Sequence, residues 1–373
     1  MTGLILTDLH VHLYGCLRPV DVWELGRDSW KNRVERLEAY AGRLELCAGT
    51  RPPWPDYWRT STGVETLAEN YLCTRAMRFE EFEARFALAI ALFPVSHERD
   101  DLRVLRRVME THRAEGRRHV EYRYVYPPRT PLTTNYTIKE HLDGVCEIMR
   151  LFAAESSGTF EPRLAMSLSR NPVEALTQYA NLKAWQAATP EDTRKYLTAI
   201  DFSGYEETTD VMTLEPVCRQ IHADNASHPR HALALLIHAG ETMEKGSVEQ
   251  AVARVMGAVN LGAHRVGHAV ALGFSPEARR HVATRSSCVI ESCITSNLIV
   301  AGVPDATSHP VREFVAEGLS ICLATDDPGI FATDARKEYQ VAETILGRDT
   351  CARVNARSPD FRSEVLSGRL RAM

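Results

Sequence analysis

Two histidines one residue apart, His10 and His12 in "TDLHVHLYG", are the first residues of this chain whose types and spacing suggest chemistry. In a β-strand, residues i and i+2 share a face. A strand through this stretch therefore points both imidazoles the same way, where they could grip one metal ion. An isolated His-x-His is equally compatible with two structural histidines, so its meaning depends on what joins it. Three later segments supply partners: "IHAGE" carries His238 and Glu241, "RVGHAV" carries His268, and "ATDDP" carries the adjacent Asp326 and Asp327. His10, His12, His238 and Asp326 offer three imidazoles and one carboxylate, a donor set that suits one Zn²⁺ per chain with room for a bound water. Zinc lowers the pKa of such a water toward ~7. Glu241, His268 and Asp327 remain beside it as acid–base groups, which together make the equipment of a metal-assisted hydrolysis.

Residues so far apart in sequence need a scaffold that brings strand ends to one place. The chain alternates β-rich runs, at 4–13, 118–126, 161–169, 195–204, 232–240, 264–272, 287–296 and 319–327, with longer amphipathic stretches of helical period. Eight strands, each followed by a helical segment, predict an α/β fold of the (β/α)8 TIM-barrel type, whose strand ends converge on one mouth. An open doubly wound sheet would want a glycine-rich phosphate loop after the first strand, and "HLYGCLRP" is no such loop. The interval between the first two strands is too long for one crossover helix. It predicts an inserted helical segment at about 28–95, Pro/Trp-rich in its middle, placed as a lid on the C-terminal face of a single 1–373 domain.

Composition narrows the partners. A formal net charge of −5 gives no support to general nucleic-acid or anionic-membrane binding. No apolar run approaches the ~20 residues that span a bilayer, and the His-x-His pair falls where the apolar core of a signal peptide would lie. Nine cysteines without a Cys-x-x-Cys pair predict reduced thiols in a cytoplasm and no structural zinc ribbon.

"LHVHLYG", "IHAGET", "RVGHA", "ESCITSN" and "ATDDPGIF" resemble, in order, the motifs of the adenosine deaminase family, and "AIDFSGYE" (199–206) is similar to that family's "DLAGDE" segment. The cytidine-type zinc deaminases use different signatures, His-x-Glu with Pro-Cys-x-x-Cys, and neither occurs here. The resemblance implies that His10, His12, His238 and Asp326 hold zinc. It implies that Glu241 shares a proton with purine N1, that His268 orients the attacking water and helps take its proton, that Asp327 bonds N7, and that the Gly204 N–H faces N3. The implied reaction is hydrolytic deamination of a 6-aminopurine, adenosine or deoxyadenosine to inosine or deoxyinosine, or the 5′-monophosphates AMP and dAMP to IMP and dIMP.

Two positions depart from the family. Ala269 stands where the family usually has glycine, and Tyr14 stands where it has the aspartate that helps bind the ribose 5′-hydroxyl. Loss of that carboxylate removes a charge that would repel a 5′-phosphate, a repulsion of ~3 kcal/mol at ~5 Å and an effective dielectric near 20. Arg18, Arg51 and Arg59 lie near enough in sequence to be phosphate ligands. Tyr14 and Arg18 thus join Gly204 and Asp327 as candidate substrate contacts, with nucleoside, nucleotide and free base all open. Two other classes compete: a different metal-dependent barrel amidohydrolase, and a catalytically silent barrel serving as a binding or scaffold protein.

Overall fold

The computed structural model describes residues 5–92, 100–126, 138–285 and 287–372. Leu4, at the start of the first predicted strand, and 93–95, at the end of the predicted insertion, lie outside them. Eight parallel strands run in the order β1 to β8: Leu6–His12, Arg117–Val125, Glu161–Ser167, Leu197–Phe202, Ala234–Ala239, Arg265–His268, Val289–Ser292 and Ser320–Leu323. Helices lie between them, giving the TIM-type barrel. The seam between β8 and β1 is closed by a parallel bridge between Val11 and Asp326. Its bonds run from His12 N to the Asp326 carbonyl (2.8 Å) and from Asp326 N to the His10 carbonyl (2.9 Å).

The strands are shorter than their apolar runs suggest, most of all β6 to β8. At the end of β6 the backbone turns, with His268 and Ala269 at φ of 65° and 51°, and Asp326, three residues beyond β8, has 62°, a left-handed region that no strand continues through. β1 departs from simple alternation in another way. Its register against β2 slips between Asp8 and Val11, as a bulge does when it re-aims a side chain. Leu9 packs with Val289, Cys322 and Phe361, and the neighbouring His10 still faces the other histidines.

The barrel interior is ionic as well as apolar. Arg123 reaches Glu291 at 2.6 Å and Asp201 at 3.2 Å, and Arg265 reaches Glu291 at 2.7 Å and also pairs with Glu121. All five are buried, and buried charges persist only when paired in this way.

Between β1 and β2 the described residues form the α-helices α1 (Pro19–Arg27), α2 (Val34–Ala48), α3 (Gly63–Tyr71) and α4 (Phe79–Leu92), before a further helix, Asp100–Ala114, leads into β2. The helical excursion therefore begins at Pro19, ahead of residue 28. α4 combines strong helix formers with Glu80 and Glu81 in its first turn, where the helix dipole favours them. The Pro/Trp-rich stretch before α3 folds into the insertion's own core, with Trp54 and Tyr57 buried and the Trp30 ring stacked on Trp58.

Glu338 is a buried carboxyl for which the fold supplies hydroxyl and amide partners. It accepts from the Thr295 N–H at 3.1 Å and from the Thr295 hydroxyl at 2.5 Å. Burial pushes it up to about 7. An acid raised above its unfolded value of 4.5 binds protons more tightly in the folded state, so its contribution to stability is lost as pH rises from about 4.5 to 7. Urea unfolding should show the wild type losing about 2 kcal/mol more than Glu338→Gln between pH 5 and pH 8. Parallel pH curves for the two proteins would contradict this account.

Candidate active site

Barrel closure brings the predicted ligands together at the C-terminal ends of β1, β5 and β8. His238 Nε2 lies 3.2 Å from His12 Nε2 and 3.1 Å from His10 Nε2. Asp326 Oδ1 lies 3.2 Å from His10 Nε2 and 3.3 Å from His12 Nε2. A tetrahedron with metal–ligand bonds of ~2.0–2.1 Å has edges of ~3.3–3.4 Å, so these four atoms are spaced as the ligands of one such ion. Asp326 Oδ1 is buried with no hydrogen-bond donor, a costly state for a carboxylate oxygen that a cation relieves.

The far sides of the imidazoles are held by carboxylates. His10 Nδ1 lies 2.8 Å from Glu291 Oε2, and His238 Nδ1 lies 3.1 Å from Asp201 Oδ1. A proton held on Nδ1 by a carboxylate leaves the Nε2 lone pair free for a metal. Burial opposes charge on Glu291, but the Arg123 guanidinium, His10 and Arg265 outweigh it and hold the carboxyl well below its ordinary range. Burial also lowers His12, and takes His238 to about 4, so both rings remain neutral ligands.

Beside the ligands sit the acid–base groups. His268 Nε2 lies 3.6 Å from Glu241 Oε1 and 3.9 Å from Asp326 Oδ2. The Asn297 amide bridges His268 Nδ1 (2.8 Å) and His309 Nε2 (2.9 Å), holding the catalytic-site ring from behind. Burial pushes Glu241 up to about 8, with the Asp326 charge adding to it against His268. Burial, then Asp326 and Glu241, raise Asp327 well above the usual carboxylate range. Both carboxyls are therefore proton carriers at neutral pH. Gly15 is obligatory here, because a Cβ on it would fall 1.6 Å from Asp327 Oδ1.

These groups form the floor of a cavity of about 530 Å³. Gly204 lines it with φ +88°, and so does Tyr14, whose ring lies 5.6 Å from that of Tyr124. α4 contributes Phe79, Phe82, Phe86 and Ile90 from one helical stripe, which puts the insertion over the site. Arg18 is elsewhere. Its guanidinium is held by Asp21 of α1 at 2.8 and 3.2 Å and faces a separate pocket, because the carboxylate three residues on is the nearer partner. Arg51 pairs with Glu38 and Glu45, and Arg59 lies over the Trp30 ring at 5.2 Å. None of the three lines the cavity.

The profile of the adenosine deaminase family matches residues 61–358. The chain belongs to that family. An adenosine deaminase of Escherichia coli O7:K1 is 27% identical over 350 residues, covering 93% of this chain and 89% of the relative. An N6-mAMP deaminase of Arabidopsis shares the fold with a TM-score of 0.73 at 20% identity, covering 99% and 97% of the two chains. An adenine deaminase of Arthrobacter aurescens does so with a TM-score of 0.68 at 21% identity, covering 98% of each. The protein is thus a hydrolytic aminohydrolase of a metal-dependent family. Among its described residues no helix is long and apolar enough to cross a membrane.

The sequence motifs named the four candidate ligands and the three candidate acid–base groups that the structure brings together here. They did not lead to Glu291, Asp201 and Arg123, which orient the ligands, or to Asn297 and His309 behind His268. Glu291 and Asn297 lie inside the quoted "ESCITSN" and Asp201 inside "AIDFSGYE"; Arg123, a charged residue inside a predicted strand, had only that signal, and His309 had none. Asp326→Ala should lose bound zinc and activity together, read by metal analysis and ammonia release. Full zinc occupancy with near-normal turnover would exclude this ligand set.

Proposed function

We propose that this protein deaminates a 6-aminopurine nucleoside, with one zinc ion held by His10, His12, His238 and Asp326. The observation that carries the reading is the cluster of four ligand atoms, with separations of 3.1–3.3 Å, set against two proton-bearing carboxyls in the floor of one cavity. Zinc bound there supplies the Lewis acidity that makes water a nucleophile at neutral pH. The protein's own groups do the rest. Glu241, neutral at pH 7, delivers its proton to N1 and makes C6 electrophilic. His268 holds the attacking water and relays its proton. N7 is an acceptor, and the protonated Asp327 carboxyl donates to it; the Gly204 N–H faces N3. The water oxygen bonds C6 and the C6–N6 bond breaks; one water proton passes by way of His268 to N6, which leaves as ammonia, and the other returns to Glu241, whose own proton stays on N1.

The lining favours nucleoside over nucleotide. Among the described residues Arg170 is the one arginine or lysine in the cavity wall. It already donates to the carbonyls of Ser203 (3.1 Å), Phe202 (3.0 Å) and His238 (2.6 Å). The nucleotide reading keeps one support, the neutral Tyr14 where a carboxylate would repel phosphate. No disulfide joins any of the nine cysteines, which fits a reducing cytoplasm.

An ammonia-release screen across adenine, adenosine, deoxyadenosine, AMP and dAMP tests this reading, with adenosine or deoxyadenosine expected to give the highest kcat/KM. Tyr14→Asp should leave the nucleoside rate intact or improved and lower any AMP rate by about a hundredfold. A wild type that prefers AMP would overturn the nucleoside assignment. Glu241→Gln should keep zinc and fold and lose ~10²–10⁴ in kcat; a variant retaining a tenth of the rate would place the acid elsewhere.

A further inference from the structure

Two adjacent carboxylates after β4 hold five backbone N–H groups of the loop that carries Glu241. Glu206 accepts from Gly240 N at 2.7 Å, Glu241 N at 2.6 Å and Thr242 N at 2.9 Å. Its fourth donor is Arg254 Nε at 3.0 Å, so all the in-plane lone pairs of one carboxylate are used. Glu207 accepts from Glu244 N at 2.7 Å and Lys245 N at 2.6 Å. Gly240, with φ +71°, turns successive N–H groups to one side, an anion-binding nest whose occupant here is a side chain of the same protein. A Cβ at Gly240 would fall 2.4 Å from Val255 Cγ2.

The second half of this loop reaches the insertion. Glu244 accepts from the Phe79 N–H at 2.7 Å, capping the start of α4. Lys245 pairs with Glu80 and lies 4.7 Å above the Tyr205 ring, which itself stacks on Phe79 at 5.4 Å. One loop therefore carries the acid at one end and the dock for the aromatic cover at the other, with one glutamate beneath each.

We propose that Glu206 is a positioning residue that aims Glu241 at the purine, while Glu207 anchors the half of the loop that docks α4 over the cavity. Proton delivery and substrate retention are divided between neighbouring side chains. The inference rests on Glu241 as the acid of the proposed reaction. Gln fills the space of Glu206 but offers one oxygen, and its NH₂ would face N–H donors. At least one of the three loop N–H bonds must break, and the loop must shift beside the acid.

The test uses zinc-loaded full-length enzyme and the best of the five substrates, with zinc content and Tm measured on every variant. Glu206→Gln should lower kcat by about thirtyfold or more with KM within about threefold. Glu207→Gln should raise KM by about fivefold or more with kcat within about threefold. Adding Glu206→Gln to Glu241→Gln should cost less than about threefold more, because the two act through one proton. Proportional losses in both single variants, or a full additional loss in the double variant, would reduce the pair to a structural brace and overturn the inference. If Glu206→Gln does not fold, Glu206→Asp carries the test. It keeps the charge opposite Arg254 but is one methylene short, and kcat should fall about tenfold; unchanged kcat overturns the proposal. If Glu241→Gln itself keeps its kcat, the reaction assignment fails, which is distinguishable from a Glu206 variant that keeps its kcat while Glu241→Gln loses it.

Discussion

The seam between β8 and β1 is where the fold and the site become one problem. The backbone bonds that close the barrel join His12 to Asp326 and Asp326 to His10. Three of the four candidate metal ligands are therefore the residues that make the closure. Fixing those peptides fixes the spacing of the ligand atoms to within a few tenths of an ångström, the tolerance a metal site needs. Only His238 comes from across the barrel, and its backbone carbonyl is held separately by Arg170.

Charge inside the barrel follows from the same need. Imidazoles that must present Nε2 lone pairs need something to hold Nδ1, and here Glu291 and Asp201 take that place. Two buried carboxylates need cations, and Arg123 sits between them with Arg265 beyond. The core that in a purely structural barrel would be filled by branched aliphatics becomes a paired lattice. Removing Arg123 would leave Asp201 buried without its guanidinium, and removing Arg265 would do the same to Glu121.

The site also holds backbone in a region that most residues avoid. His268, Ala269 and Asp326 all lie at positive φ, each costing of order 1–3 kcal/mol. At Ala269 a glycine, the usual family residue, would relieve the strain. At His268 and Asp326 the side chains belong to the candidate site, so the conformation has to be carried by the packing around it. His268 is the last residue of β6 and Asp326 lies three residues beyond β8, so both sit where the chain turns at the barrel mouth.

What was legible in the sequence was the frame and the candidate groups that it brings to one mouth. His10 and His12 share a strand face, the other groups end separate apolar runs, and eight such runs alternating with helical segments have few ways to pack. The extent of the insertion was less legible, because α1 has the same period as any crossover helix. Arg18 shows what sequence proximity could not decide: it follows the metal pair closely, yet Asp21 captures it and turns it away. The roles of Glu206, Asn297, His309 and the Arg123–Glu291–Asp201 group depended on contacts across 12 to 168 residues. Such partners carry no periodic signal, since what selects them is the geometry of a closed barrel and the cost of leaving a buried polar group without its pair.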